Sequence, residues 1–157
     1  MVTFGDVKRK VTGDEAMKKK DREKKKGDRL RKANILVIED EQDVCNLLSD
    51  VLTNGGHEVE TAPNGSQGIE VFEKREFDLV FTDLGMPGMS GWQVAEKVKS
   101  INGRVPVILL TGWDIKQVAT ENKDNWVDIF IQKPFRMDQV LNVVQEGMIL
   151  RDRFKAT

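Results

Sequence analysis

The sequence predicts a doubly wound α/β domain, a five-stranded parallel sheet with helices on both faces. Short apolar runs of strand length alternate five times with segments of helical periodicity. Most of these runs are apolar on both faces, as expected of central parallel strands that helices cover on both sides. Alternation of strands and helices favours right-handed crossovers in one parallel sheet. The order of the strands does not follow from this pattern.

Charge divides the 157 residues into two parts. Residues 1–33 contain thirteen Lys or Arg and six Asp or Glu, a net charge of +7, whereas residues 34–157 contain twelve basic and twenty acidic residues, a net charge of −8. Large apolar side chains are scarce in residues 1–33, so we predict a flexible arm or linker there, with a frayed helix at about 14–26. A solvated linker is favoured over a nucleic-acid or anionic-lipid contact, and single-strand binding is further disfavoured because no aromatic side chain is interleaved with the basic cluster. The domain itself is predicted over residues 34–157.

A single cysteine bears on the compartment. Cys45 cannot form an internal disulfide, which fits a reducing cytosol, and we expect a cytoplasmic protein. Its expected place is the apolar face of a helix. No apolar run approaches the ~18 residues of a membrane span, and the start of the chain lacks the apolar core of a signal peptide.

The first half of the domain contains two strands and two helices. A buried strand at 35–38 runs into an acidic triplet and is followed by a helix with one apolar stripe that ends at Gly55–Gly56. The stripe comprises Val44, Leu47, Leu48, Val51 and Leu52. Residues 58–62 alternate in polarity and are expected to form an edge strand. A second helix follows the turn at Asn64–Gly65 and runs to Lys74.

The second half repeats the pattern three times. A buried strand ends at Asp83 and is followed by a helix that carries Val94, Ala95, Val98 and Ile101. A strand at 107–110 leads to Thr111, after which Asp114 and Gln117 resemble the capping box of a short helix. The fifth strand, at 129–131, leads to Lys133–Pro134. The last helix is predicted from about Met137 to Arg151.

Polar side chains follow four of these strands at the point where each strand ends. They are Glu39, Asp40, Asp83, Thr111 and Lys133. Because the carboxyl ends of parallel strands lie at one edge of the sheet, these side chains are expected to meet in one crevice if the strands are neighbours. Two unit charges ~4 Å apart repel by ~4 kcal/mol at an effective dielectric constant of 20, so the three carboxylates need a cation. Oxygen ligands without His or Cys favour Mg²⁺.

The chemistry that fits these groups is phosphoryl transfer onto a carboxylate. Asp83 is the expected nucleophile because it stands alone at the end of a central strand. A metal ion and Lys133 would neutralise charge on the phosphoryl oxygens, and Thr111 could donate a hydrogen bond to another of them.

Four segments resemble the response regulator receiver domain of two-component signalling, the CheY-like family. The segments are ILVIEDE at 35–41, DLVFTDLGMPGMSGW at 78–92, PVILLTG at 106–112 and FIQKPF at 130–135. The resemblance extends over about residues 34–152. It implies a flavodoxin-like sheet with the strand order 2-1-3-4-5.

The resemblance also implies roles for individual residues. Asp83 matches the phosphorylated aspartate and Asp40 a direct metal ligand, while Glu39 matches the neighbouring acid, which often acts through water. The backbone carbonyl of Gly85 falls where the family supplies another ligand to Mg²⁺. The remaining matches are the phosphoryl-binding Lys133, the switch hydroxyl of Thr111 and the switch aromatic Phe130.

The family implies partners as well as chemistry. The phosphoryl donor would be a histidine kinase or a histidine phosphotransfer protein, and self-phosphorylation and slow self-dephosphorylation would be the sole catalysis. Phosphorylation would switch the face made by helix 4, strand 5 and helix 5 for binding of a downstream protein, with a phosphorylation-dependent dimer as a further expectation. About six residues follow the last predicted helix, so we expect no DNA-binding domain. The basic arm favours the receiver of a hybrid histidine kinase over a stand-alone regulator.

The sequence departs from the family pattern at several positions. Glu39 stands where Asp is common, and Phe130 cannot donate a hydrogen bond as Tyr could. Trp126–Val127 replaces a frequent Gly-Ala, and Arg136 stands where an N-cap Asp is common.

Three other classes of protein fit the sequence less well. An aspartate-nucleophile phosphatase or mutase would need a second Asp two positions after Asp83, where this chain has Gly85. A degenerate receiver that only binds is disfavoured by the intact acid, Lys and Thr set, and a flavodoxin-like cofactor binder by the acidic crevice. A core role alone would also explain Phe130.

Overall fold

The computed structural model describes residues 32–156, which form one five-stranded sheet surrounded by five helices. The elements are β1 (Asn34–Ile38), α1 (Gln42–Asn54), β2 (Glu58–Ala62), α2 (Gly65–Lys74), β3 (Leu79–Asp83), α3 (Gly91–Ile101), β4 (Val107–Thr111), α4 (Ile115–Ala119), β5 (Ile129–Gln132) and α5 (Met137–Ala156). The predicted arm, except for its last two residues, and the helix predicted at 14–26 lie outside the described residues. The boundary predicted between arm and domain stays a prediction.

The strands pair in parallel in the order β2-β1-β3-β4-β5. This confirms the predicted fold class and the strand order that the family resemblance implied. The alternating strand β2 lies at an edge, as expected. In the register of the sheet, Asp83 at the end of β3 is opposite Leu110 on β4, and Thr111 is opposite Gln132 on β5.

Two apolar clusters pack against the two faces of the sheet. Ile35 and Val37 of β1 face the cluster formed with α1 and α5, whereas Leu36 and Ile38 face the cluster formed with α2 and α3. Cys45 belongs to the first cluster and is 5 % exposed, as expected of a small apolar residue. Each large side chain buried in this way contributes about 1.5–3 kcal/mol to folding.

Helix α1 buries a narrower stripe than its sequence predicts. Cys45, Leu48, Val51 and Leu52 are buried, but Leu47 is 49 % exposed. Successive residues of a helix project about 100° apart, so a helix that directs Leu48 to the sheet turns Leu47 towards solvent. Ile101, at the last turn of α3, is likewise 44 % exposed.

Two local predictions need correction. Helix α5 continues past Arg151 to Ala156, and Phe154 within this extension makes a tertiary contact, with its ring centroid 5.0 Å from Lys99 Nζ. Asp114 caps α4 by accepting a hydrogen bond from the backbone N–H of Lys116, and it forms no capping box with Gln117. His57, just before β2, is half-buried, and its Nδ1 accepts a hydrogen bond from the backbone N–H of Ala33 at 3.2 Å.

Within residues 32–156, no helix combines the length and apolar character that a membrane span requires.

Candidate functional site

Four of the predicted site residues meet at the carboxyl edge of the sheet. Single carboxylate oxygens of Glu39, Asp40 and Asp83 lie within 4.8 Å of one another. The ammonium of Lys133, which follows β5, is 2.9 Å from Asp83 Oδ1 and 2.9 Å from Glu39 Oε1. The spatial prediction for these residues therefore agrees with the structure, while their chemical roles stay predictions.

The main chain holds Asp83 in place at the end of the central strand β3. All five residues of β3 are buried, and the N–H of Leu84 continues the ladder by donating to the carbonyl of Leu110 at 2.9 Å. The chain then turns back, and the N–H of Gly91 donates to the carbonyl of Leu84 at 2.9 Å. Ser90 and Gln93 form a capping box that starts α3 directly after this loop. The Asp83 side chain is therefore presented by a strand end and a loop that are both pinned by backbone hydrogen bonds.

Glu39 is the most deeply buried acid of the site. It is 1 % exposed; its Oε1 pairs with Lys133, and its Oε2 accepts a hydrogen bond from the backbone N–H of Glu41 at 3.1 Å. Burial raises the pKa of Glu39 to about 7, although the hydrogen bonds from Lys133 and from the Glu41 backbone oppose this. Near neutral pH, a nearby positive charge therefore stabilises the ionised form of Glu39.

Asp83 and Lys133 respond to burial in opposite ways. Burial raises the pKa of Asp83 above its usual range, and the hydrogen bond from Lys133 only partly offsets this effect. Burial on its own would lower the pKa of Lys133, but its hydrogen bonds to Asp83 and Glu39 outweigh burial and raise the pKa. Lys133 thus stays protonated and is the cation around which the acids gather.

The residues of this edge fit a divalent metal ion. Lys133 supplies one positive charge to the three clustered carboxylates, so a deficit remains when all three are ionised. Every donor is a hard carboxylate oxygen, and Asp40 is exposed to solvent, as a ligand to an ion that keeps several waters should be. The donor set therefore suits Mg²⁺ better than a softer metal.

Glu41 is a site residue that the sequence reasoning did not single out. Its Oε1 lies 3.5 Å from Lys133 Nζ, so that ammonium faces three carboxylates, those of Asp83, Glu39 and Glu41. The sequence feature that could have identified Glu41 is its place in the acidic triplet after β1. Nothing in the sequence shows which way an exposed Glu at the start of a helix points.

The other three predicted residues lie on β4, on β5 and in the loop after β3. Thr111 is buried at the end of β4, and its Oγ1 accepts a hydrogen bond from the backbone N–H of Trp113 at 3.0 Å. Phe130, on the edge strand β5, is half-buried and packs edge-on against Trp92 with ring centroids 6.3 Å apart. Gly85 lies in the exposed loop two residues after Asp83.

A protein-family model matches most of the domain. The model of the response regulator receiver domain matches residues 35–145. The transcriptional regulatory protein RprY of Bacteroides fragilis is 33 % identical over 109 residues, which are 69 % of this chain and 46 % of the relative. The sporulation initiation phosphotransferase F of Bacillus subtilis is 28 % identical over 117 residues, which are 74 % of this chain and 94 % of the relative.

Solved structures share the fold. The chemotaxis protein CheY4 of Vibrio cholerae superposes with a TM-score of 0.70 at 27 % identity, over 73 % of this chain and 98 % of that one. The response regulator TrrA of Thermotoga maritima, solved in complex with Mg²⁺ and BeF, gives a TM-score of 0.66 at 31 % identity, over 73 % and 97 %. This chain spans about half the length of the RprY regulator, so the match covers one part of that relative.

Proposed function

Because the chain belongs to the response regulator receiver domain family of two-component signalling, we propose that Asp83 is its phosphorylated residue. The observation that carries the proposal is the contact of Lys133 with both Asp83 and Glu39, beside Asp40, at the carboxyl edge of the sheet. A buried carboxylate next to a protonated lysine and two further acids matches what phosphoryl transfer to Asp needs. The same contacts support a signalling receiver over a module that only binds.

The proposed step moves one phosphoryl group between two side chains. An Asp83 oxygen attacks the phosphorus of a phosphohistidine on the donor protein, an O–P bond forms, and the P–N bond breaks. The bonding electrons stay on the imidazole nitrogen. Lys133, already 2.9 Å from Asp83 Oδ1, donates to a phosphoryl oxygen and offsets its charge.

The metal site is proposed from the same donors. Asp40, Asp83, the Gly85 carbonyl and, through water, Glu39 would hold Mg²⁺, which when bound neutralises charge on the phosphoryl oxygens. The clustering of three carboxylates supports this assignment, and so does the Mg²⁺ bound in the similar regulator TrrA. Lys133 would then exchange part of its contact with Glu39 for the phosphoryl group.

Phosphorylation is proposed to act as a switch through Thr111 and Phe130. The Thr111 oxygen accepts from Trp113, so its hydroxyl hydrogen is free to donate to a phosphoryl oxygen on the neighbouring strand. Movement of Thr111 would leave space that the half-buried Phe130 can occupy. The face made by α4, β5 and α5 would then change its affinity for a downstream protein or a second copy of the chain.

The phosphoryl donor is proposed to be a histidine kinase or a histidine phosphotransfer protein. Support comes from the family and from the matched phosphotransferase F of Bacillus subtilis. The basic residues 1–33 are proposed to be a linker, as in the receiver of a hybrid histidine kinase.

Labelling by acetyl phosphate tests the assignment of Asp83. With Mg²⁺ present, the wild-type chain should gain the mass of one phosphoryl group in intact-mass spectra, and Asp83→Asn should gain none because its amide is not a nucleophile. Asp124→Asn, which removes an exposed carboxylate in the loop before β5, is the matched control and should label like the wild type. Equal labelling of wild type and Asp83→Asn, or no labelling of the wild type, would refute the assignment.

A further inference from the structure

A second charged cavity lies at the amino edge of the sheet, opposite the acidic site. Its volume is about 460 Å³, and its walls come from the start of β1, the α2–β3 loop, the α3–β4 loop and the last turns of α5. Cavities of this size hold small ligands in other proteins. None of its lining residues belongs to the carboxyl-edge site described above.

Three basic side chains line this cavity, and one of them is neutralised. Arg151 Nε pairs with Asp78 Oδ1 at 2.8 Å, and Asp78 Oδ2 accepts the backbone N–H of Asn34 at 2.7 Å. Each carboxylate oxygen of Asp78 therefore already has a partner. Arg104 and Lys155 have no ion-pair partner within residues 32–156.

The two remaining cations face one concave space on an otherwise acidic domain. Residues 34–157 carry a net charge of −8, so a positively charged concavity is a local exception. Glu76 is the second acid of the wall and is exposed, which leaves the lining with one net positive charge. Two like charges that share a cavity repel each other, and a bound anion would relieve that repulsion.

We propose that this amino-edge cavity, with Arg104 and Lys155 as its principal contacts, binds a diphosphate group. The apolar residues of the wall, Phe77 and Val105, are 7 % and 4 % exposed, so a ligand there meets mainly polar groups. An Arg fork and a Lys ammonium match phosphoryl oxygens in geometry and charge. The volume admits two adjacent phosphoryl groups, which would bring a negative charge to each free cation.

Titration of the ¹⁵N-labelled full chain with pyrophosphate, followed by NMR at physiological ionic strength, tests the site. EDTA removes divalent metal ions, which keeps the carboxyl edge from holding phosphate through Mg²⁺. Saturable shifts are expected at the amides of Asp78, Arg104 and Lys155. The readout is taken at these amides because the basic residues 1–33 attract anions independently.

The double variant Arg104→Gln/Lys155→Gln should bind pyrophosphate at least about tenfold more weakly, because two charge-assisted contacts are lost. Lys116→Gln/Lys123→Gln is the matched control: it removes two exposed lysines around α4 that do not line the cavity, and should leave the dissociation constant unchanged. A parallel titration with ADP shows whether the site prefers a free diphosphate or one attached to a nucleoside. The ligand with the lower dissociation constant is the preferred one. The absence of saturable shifts at the three amides would overturn the proposal. An unchanged dissociation constant in Arg104→Gln/Lys155→Gln, with a dispersed spectrum that shows the variant is folded, would also overturn it.

Discussion

Lys133 is the residue on which the charges of the acidic site converge. Its ammonium contacts Asp83 and Glu39 at 2.9 Å and Glu41 at 3.5 Å. Burial alone would lower the pKa of Lys133, but the contacts with Asp83 and Glu39 keep it above the usual value. Glu39, where the family commonly has Asp, reaches Lys133 with its longer side chain while also accepting a backbone hydrogen bond. A single lysine thereby holds together acids contributed by two different strands.

His57 makes folding stability depend on pH at the other edge of the sheet. Burial lowers its pKa from the usual 6.5, although the charge of Asp78 opposes this. The unfolded chain therefore binds a proton at a higher pH than the folded chain does. The contribution of His57 to folding stability is fully present above pH 6.5 and is lost as the pH falls through its folded-state pKa.

Relative to His57→Asn, the free energy of unfolding of the wild type in urea should consequently fall on acidification from about pH 7 to about pH 5.5. The Asn oxygen can still accept the hydrogen bond from Ala33 but does not titrate. Glu39 titrates in the same range and changes stability in the opposite direction, but it does so in both proteins, so the difference between them isolates His57. His57 can contribute at most about 1.4 kcal/mol per pH unit, and an identical pH slope in both proteins would rule it out.

At the scale of elements, the start of α3 is pressed against the end of β3. A Cβ added at Gly91 would lie 2.4 Å from the backbone oxygen of Asp83 and 2.6 Å from a methyl group of Leu109. The capping box of Ser90 and Gln93 fixes the helix in that position. Glycine at this position of the loop motif is therefore required by the close approach of two backbones.

Gly91→Ala should lower the free energy of unfolding by about 1–3 kcal/mol, because neither backbone can move away without breaking its hydrogen bonds. Urea unfolding followed by circular dichroism measures the change. Gly103→Ala is the matched control, since its added Cβ would make only an ordinary contact of 3.5 Å with the carbonyl of Lys99. Equal losses in the two variants would show that the close approach is not the cause.

At the scale of the whole domain, the parallel sheet separates two kinds of charge. Its carboxyl edge gathers three acids and Lys133, and its amino edge presents the cavity with Arg104 and Lys155. Each site is assembled from segments far apart in the chain, with Lys133 and Glu39 separated by 94 positions. Both sites therefore exist only when the entire sheet is formed, and a ligand of either should stabilise the whole domain.

Mg²⁺ should accordingly raise the melting temperature, because it relieves repulsion among carboxylates that only folding brings together. At a concentration one hundred times its dissociation constant, binding adds about 2.7 kcal/mol of stability, enough for a rise of several degrees in a domain of this size. Differential scanning calorimetry with NaCl at matched ionic strength measures it. Asp40→Asn should shrink the shift, and no shift at millimolar Mg²⁺ would count against an assembled metal site.

The kinds of element and the polar residues at the strand ends could be predicted from the amino-acid sequence. Both are local properties: periodicity tells strands from helices, and the residue after a buried strand is read directly from the chain. The five strand–helix units and the placing of Asp83 at the end of β3 follow from this. The strand order does not follow from these local properties and was inferred from the resemblance to the receiver family.

The partners of individual side chains depend on the packing of the folded chain and could not be predicted from the sequence. Lys133 pairs with Glu39 and Asp83, Leu47 turns outward, and His57 is half-buried because of neighbours that no sequence window contains. The last turn of α5 and the amino-edge cavity depend on the same kind of distant contact, as in the pairing of Arg151 with Asp78. Burial and pairing are set by the packing of the folded chain, which local periodicity does not encode.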